Sequence, residues 1–248
     1  MIYTVTFNPS IDYIMFTDGF ELKGLNRAKE TYKFAGGKGI NVSRVLKTLD
    51  VDSTALGFAG GFPGEFISKT LGPKVTQDQF QALLTQIKNT TNKDTVIVAG
   101  SVPNSIPSDA YAQIAEITKN TGAKLVVDAE KDLVETVLPY QPLFIKPNKD
   151  ELEVMFNTTV SSDQDVVKYG KEILKKGAQS VIISLGGDGA VYVDEQQSIK
   201  AVNPQGKVIN TVGSGDSTVA GMVAGLESGL SIQDAFKQAV ASGTATAF

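Results

Sequence analysis

Short apolar stretches rich in β-branched residues recur along the chain: IYTVTF, STALGFAG, TVIVAG, KLVVDA, PLFIKP and SVIISLG. Most end in Gly, Pro or Asp, which predicts strands buried on both faces of a parallel sheet. Between them lie helical patterns over 40–49, 77–87, 109–118, 149–156 and 165–176. The alternation implies right-handed βαβ crossovers and an α/β fold. After SVIISLGGDGAVYVDE come strand-like runs at 198–202 and 207–211, then helices from Ser214 and Ser231. No internal repeat or low-complexity linker divides the 248 residues, so a single domain over 1–248 is expected.

Composition narrows the chemistry more than the fold. The chain has no histidine and no cysteine. Disulfides, thiolate or imidazole zinc sites, and the Ser-His-Asp and Cys-His mechanisms are therefore excluded, and proton transfer falls to Asp, Glu, Lys or Tyr. A net charge of −4 argues against a nucleic-acid surface and leaves room for small anions held by local lysines. The opening MIYTVTFNPS lacks the basic flank of a secretory leader, and no apolar run approaches about 18 residues, so a cytoplasmic protein with no membrane partner is expected.

In open α/β sheets, ligands bind beyond the carboxyl ends of the strands. The residues there run from Asn8 to Asp12, then Gly60 and Gly61, Gly100 to Pro103, Asp128, Lys146 to Asn148, and Gly186 to Gly189. A late stretch, NTVGSGDSTVAG, puts two glycines and a serine directly before a helix. Glycine weakens a helix by about 1 kcal/mol relative to alanine, so the pair belongs before the helix start, where free amides and the helix dipole can hold an anion. Asp216 in the first turn also suits the dipole without any further role.

The stretch is no dinucleotide fingerprint, because Thr218 occupies the third glycine position. Nor is FAGGKGIN a Walker A loop, since Gly39 follows Lys38 and Tyr32 stands at the first glycine. It reads either as a close backbone approach to a ligand with Lys38 as a point charge, or as an ordinary surface turn. Asp12 fits an Asx-type turn as well as a ligand contact. Asn148 and Glu151 fit a capping box as well as a site for magnesium-bound water.

The motifs NPSID, GGKGINVSRVL, GSVP, KPNKDE, SLGGDGA and NTVGSGDSTVAG, in this order, resemble the ribokinase-like (PfkB-type) sugar kinase family. The likeness is greatest to its 1-phosphofructokinase and tagatose-6-phosphate kinase branch, and covers nearly the whole chain. It implies a three-layer α/β/α fold with a mainly parallel sheet and a small β lid, part of it near residues 13–34. It implies Asp216 as the general base, with the amides of Gly213, Ser214 and Gly215 covering the transferred phosphoryl group. Asp12, Gly36, Gly37 and Asn41 would hold the sugar hydroxyls, with Lys38 on its phosphate and Ser101 nearby. Lys146 and Asn148 would face the nucleotide phosphates, and Ser184, Gly186, Gly187, Asp188 and Gly189 would line the ATP site. Mg²⁺ would be held indirectly, through water, by Asn148 and Glu151. Arg27 is either a lid contact or a solvated surface residue.

The implied activity is ATP- and Mg²⁺-dependent phosphorylation of a ketohexose phosphate, fructose 1-phosphate first and tagatose 6-phosphate second. A catalytically silent sugar-phosphate or nucleotide binding protein is the alternative of another class, and a nicotinamide oxidoreductase comes third. A homodimer through the lid is also implied. Two spans of the family pattern are absent. The remaining lid strands and a basic substrate-binding residue should lie between Leu71 and Gly72, and the chain stops at ASGTATAF, before the family's last helices.

Overall fold

The computed structural model describes residues 1–58, 64, 66, 80–102 and 106–248. The Leu71–Gly72 junction, Gly60, Gly61 and Pro103 lie outside the described residues. The strands are β1 (Ile2–Thr6), β2 (Ser10–Phe16), β3 (Glu30–Gly36), β4 (Ser53–Gly57), β5 (Thr95–Ala99), β6 (Lys124–Asp128), β7 (Phe144–Ile145), β8 (Ser180–Ser184), β9 (Ala190–Asp194) and β10 (Ser198–Ala201). The helices are α1 (Lys38–Thr48), α2 (Phe80–Lys88), α3 (Ala110–Thr121), α4 (Lys131–Val137), α5 (Lys149–Phe156), α6 (Asp163–Lys175), α7 (Ser214–Glu227) and α8 (Ile232–Ala247). Among the described residues no helix is long and apolar enough to cross a membrane.

An eight-stranded sheet has the order β10-β9-β8-β7-β6-β5-β1-β4. The six strands expected to be parallel pair in parallel, and β9 and β10 add an antiparallel edge. Alternate residues feed opposite faces. Val96, Val98, Val127, Val181 and Ile183 pack with α2 to α6, whereas Ile97, Val126, Phe144 and Ile182 pack with α1, α7 and α8. Burial on both sides explains the nearly unbroken apolar runs, each fully buried Val or Ile contributing about 1.5–3 kcal/mol. This is the three-layer α/β/α fold.

A separate antiparallel pair, β2 with β3, forms the small lid, in register from Ser10 opposite Gly36 to Phe16 opposite Glu30. Asp12 lies inside β2 rather than in a turn after the first strand, so the Asx-turn reading of it fails. The run at 207–211 is not a strand either. Its amides turn to the end of α8, with Ile209 and Asn210 N–H donating to the Ala247 carbonyl at 2.8 and 3.2 Å. With those groups satisfied by a helix end, apolar Val208 and Ile209 stay exposed instead of joining the sheet.

Candidate active site

Asp216 is the third residue of α7, and Gly213 is its N-cap with φ 83°, in the left-handed region that glycine adopts without penalty. No side chain caps this helix. The Ser214 amide donates to Thr211 O at 3.1 Å, so the expected three-amide cradle is incomplete at its middle member. The amides of Gly213, Gly215 and Asp216 have no acceptor among the described residues, and these, with the dipole, can receive an anion. The Ser214 hydroxyl is buried and unpartnered.

The Asp216 carboxylate is 6% exposed and accepts from Asn41 Nδ2 at 2.9 Å. Burial pushes its pKa up to about 6. The Asn41 bond opposes that rise, Asp128 adds to it, and Lys38 and Lys146 oppose it. Lys38 Nζ lies 3.1 Å from Asp128 Oδ1, and Lys146 Nζ lies 3.6 Å from Asp128 Oδ2. Burial alone would weaken the Lys38 ammonium, but the carboxylates of Asp128, Asp216 and Glu151 together outweigh it and raise the lysine's pKa. A Cβ placed on Gly215 would come within 3.1 Å of Lys146 Nζ, so that ammonium reaches the start of α7.

These groups line a cleft of about 690 Å³ beyond the carboxyl ends of the parallel strands. Asp12, Gly37, Lys38 and Asn41 form one side, Lys146, Asn148 and Glu151 another, and Ser184, Gly186, Gly187 and Gly189 a third. Gly36 stands next to it because Asp12 lies against its backbone; a Cβ there would come within 2.3 Å of Asp12 Oδ1. Ser101 and Asp188 are exposed and outside the cleft wall, Ser101 receiving a 3.3 Å bond from Asn8 Nδ2. Arg27 is exposed in the segment joining β2 to β3. A larger groove, about 1240 Å³, runs between β2 and α1 and meets the cleft at Asp12, Asn41 and Gly213. Of the two, the smaller space holds Asp216, Lys38 and Lys146.

Asn148 and Glu151 do form a capping box. The Asn148 Oδ1 accepts from the Glu151 amide at 2.8 Å, and Glu151 Oε2 accepts from the Asn148 amide at 2.7 Å. That uses one oxygen of each and leaves Glu151 Oε1 with no hydrogen-bond partner among the described residues, and Glu151 lines the cleft. One spare carboxylate oxygen fits a magnesium ion held through water. Among the described residues no cluster of three His, Cys, Asp or Glu is built to hold a metal directly.

The model of the pfkB family carbohydrate kinases matches residues 5–74 and 72–248. The chain belongs to this family. Its coarse activity is accordingly that of an ATP-dependent sugar kinase. The chain is 40% identical to a 1-phosphofructokinase of Bacillus subtilis, covering 100% of this chain and 93% of that protein. It is 32% identical to a tagatose-6-phosphate kinase of Staphylococcus epidermidis, over 98% of this chain and 91% of that protein. A solved structure from Staphylococcus aureus, described as a candidate phosphofructokinase, is 70% identical with TM-score 0.87, covering 100% of this chain and 92% of that one. The Bacillus alignment spans 281 positions against the 248 residues here, so part of that relative has no counterpart in this chain. The two pieces of the family match overlap at residues 72–74.

Two residues of this kinase site escaped the sequence reading of roles. Asp128 stood among the strand ends but had no motif around it, and only its burial between two lysines marks it. Asn203 had no signal at all. Its Nδ2 donates to the carbonyls of Gly186 and Gly187 at 2.8 and 3.3 Å, while Thr244 Oγ1 donates to its Oδ1 at 3.2 Å, so it ties the glycine turn after β8 to α8.

Proposed function

We propose that this chain phosphorylates a ketohexose phosphate, with fructose 1-phosphate as the substrate and fructose 1,6-bisphosphate as the product. The observation that carries the reading is Asp216, a buried carboxylate beside free helix-start amides, with its pKa raised to about 6. Asp216 accepts the proton of the sugar hydroxyl as that oxygen bonds to the γ-phosphorus of ATP and the bond from that phosphorus to the bridging oxygen breaks, with ADP as the leaving group. A base whose pKa lies near neutrality is ionised at pH 7.5 yet still binds a proton well. Asn41 holds one Asp216 oxygen, which fixes the direction of the other. The Gly213, Gly215 and Asp216 amides offer donors to the charge that spreads over the transferred group.

ATP with Mg²⁺, when bound, supplies the phosphoryl group and neutralises part of its charge. Lys146 and Asn148 face the nucleotide phosphates, Glu151 the magnesium-bound water, and Ser184 with Gly186 to Gly189 the rest of the nucleotide. Asp12, Gly36, Gly37 and Asn41 orient the sugar, with Lys38 on its phosphate and Ser101 beside it. The identity to the Bacillus 1-phosphofructokinase favours fructose 1-phosphate. The Staphylococcus tagatose-6-phosphate kinase supports tagatose 6-phosphate as the second substrate to try. Exposed Tyr13, Met15 and Phe16 on β2 support a homodimer through the lid.

An ADP-release assay over a panel of ketohexose monophosphates tests this directly. Turnover with fructose 1-phosphate above all others is expected. Turnover confined to tagatose 6-phosphate changes the substrate, and ligand binding without ADP release would make the chain a silent binding protein.

A further inference from the structure

Asp128 ends β6 at 2% exposure, and none of the roles above employs it. Its two oxygens are divided between the two halves of the cleft, Oδ1 with Lys38 from α1 and Oδ2 with Lys146 from the segment after β7. Two ammonium groups converging on one buried place repel each other, and a carboxylate between them removes that repulsion. The facing charged groups are Asp216 from α7 and Glu151 from α5, both of which favour the charged form of Lys38. Tyr111 from α3 also faces it, but burial keeps that phenol protonated and its hydroxyl donates to Gly100 O at 2.7 Å. Lys38 and Lys146 stand against Asp128 and Asp216, with Glu151 as a further negative group facing Lys38.

We propose that Asp128 is a positioning residue for phosphoryl transfer: it holds Lys38 and Lys146 on its two sides in the cleft, and its charge acts on Asp216. The inference rests on the kinase reading. Replacing Asp128 with Asn removes one repulsion on Asp216 and leaves both lysines unneutralised, so the Asp216 carboxylate is stabilised and becomes a weaker base. Phosphates meet a more positive cleft, while the lysines lose their common anchor. The signature is lost turnover without lost binding, whereas simple distortion of the site weakens binding as well.

The test is a carboxyl ¹³C NMR titration of Asp216 in the ligand-free full chain, for wild type and Asp128→Asn, together with steady-state kinetics. The Asp216 midpoint should fall in the variant by about half a pH unit or more. In kinetics, kcat should fall about tenfold or more with no rise in KM for either substrate. An unchanged midpoint overturns the proposal, as does a raised KM with intact kcat. Because the titration needs no turnover, it stands even if every sugar phosphate in the panel is refused. Should Asp128→Asn fail to fold, Lys38→Met is compared with the charge-balanced pair Lys38→Met and Asp128→Asn. A lower midpoint in the double variant supports the proposal and equal midpoints overturn it.

Discussion

The starts of α6 and α7 each carry an aspartate as the third helical residue, and the two carboxylates behave in opposite ways. At α6, Ser162 is the N-cap and shares a capping box with Asp165. The Ser162 hydroxyl, then the Ser161 amide and hydroxyl, hold that exposed carboxyl below the ordinary carboxylate value. At α7 the cap is Gly213, Asp216 is buried, and burial lifts its pKa to about 6. The start of α8 follows α6, with Ser231 capping and Asp234 held below the ordinary value by Ser231 and Lys237. Where the cap has a hydroxyl, the carboxylate and the first-turn amides satisfy local partners. With a glycine cap, the amides and one carboxylate oxygen are left for a ligand. The functional helix start is the one the fold leaves unfinished.

The largest break in this contrast is Asp216→Asn. Turnover should drop at least about 10²-fold, the scale of general-base catalysis, while calorimetry finds ATP affinity largely intact because the amides remain. Near-normal turnover removes Asp216 from the role of base. The same variant should melt at a higher temperature at pH 7.5. A carboxyl with a folded pKa near 6, above its ordinary 3.8, makes the fold lose stability as pH rises through that window, and Asn abolishes the loss.

Lys38→Met should weaken sugar-phosphate binding by about tenfold or more, since a charge-assisted contact is worth about 1.5–3 kcal/mol. ATP affinity should barely move. If titration calorimetry finds the loss mainly on ATP, the two ends of the cleft must exchange assignments.

The pH profile sharpens the comparison without mutation. The acid limb of wild-type kcat should have a midpoint near 6, because turnover needs ionised Asp216 and falls as pH drops through its raised pKa. A limb near 4 would give Asp216 the character of an ordinary solvated carboxylate.

The smallest effect is expected at α6. Ser162→Ala should cost about 1 kcal/mol, or about 2–4 °C in melting temperature, with turnover unchanged. Asp165 has a depressed folded pKa, so its contribution is present above the ordinary value and lost as pH falls through the depressed one. The gap between wild type and Ser162→Ala should therefore narrow in acid without closing, because the Asp165 amide still donates to the Ser162 hydroxyl. A gap that does not narrow removes the carboxylate from the cap.

Much of the architecture was legible along the chain. The six apolar runs are the parallel strands, α5 spans the residues expected of it, and α7 begins at Ser214. These features are local: a run buried on both faces, a capping pair three residues apart, and a glycine, Gly213, that caps a helix, although its companion Gly215 lies inside α7 as the second residue rather than before it. Where local signals had no tertiary partner in view they misled. The apolar run at 207–211 looked like a strand until the end of α8 took its amides, and Asn148 with Glu151 offered two readings that only the observed capping box joins.

By itself, then, the sequence determined the alternation of elements, excluded histidine and cysteine chemistry, and marked Asp216 and Lys38 as residues beside backbone that a ligand can reach. It could not determine what surrounds them. The strand order β7-β6-β5-β1 brings Lys38 and Lys146 to the two sides of Asp128, and the packing of α1 against α7 puts Asn41 on a carboxylate 175 positions away. Burial and neighbouring charge set the basicity of Asp216, and both come from segments distant in the chain. Desolvation and Coulomb interaction depend on distance in space, which no local pattern encodes.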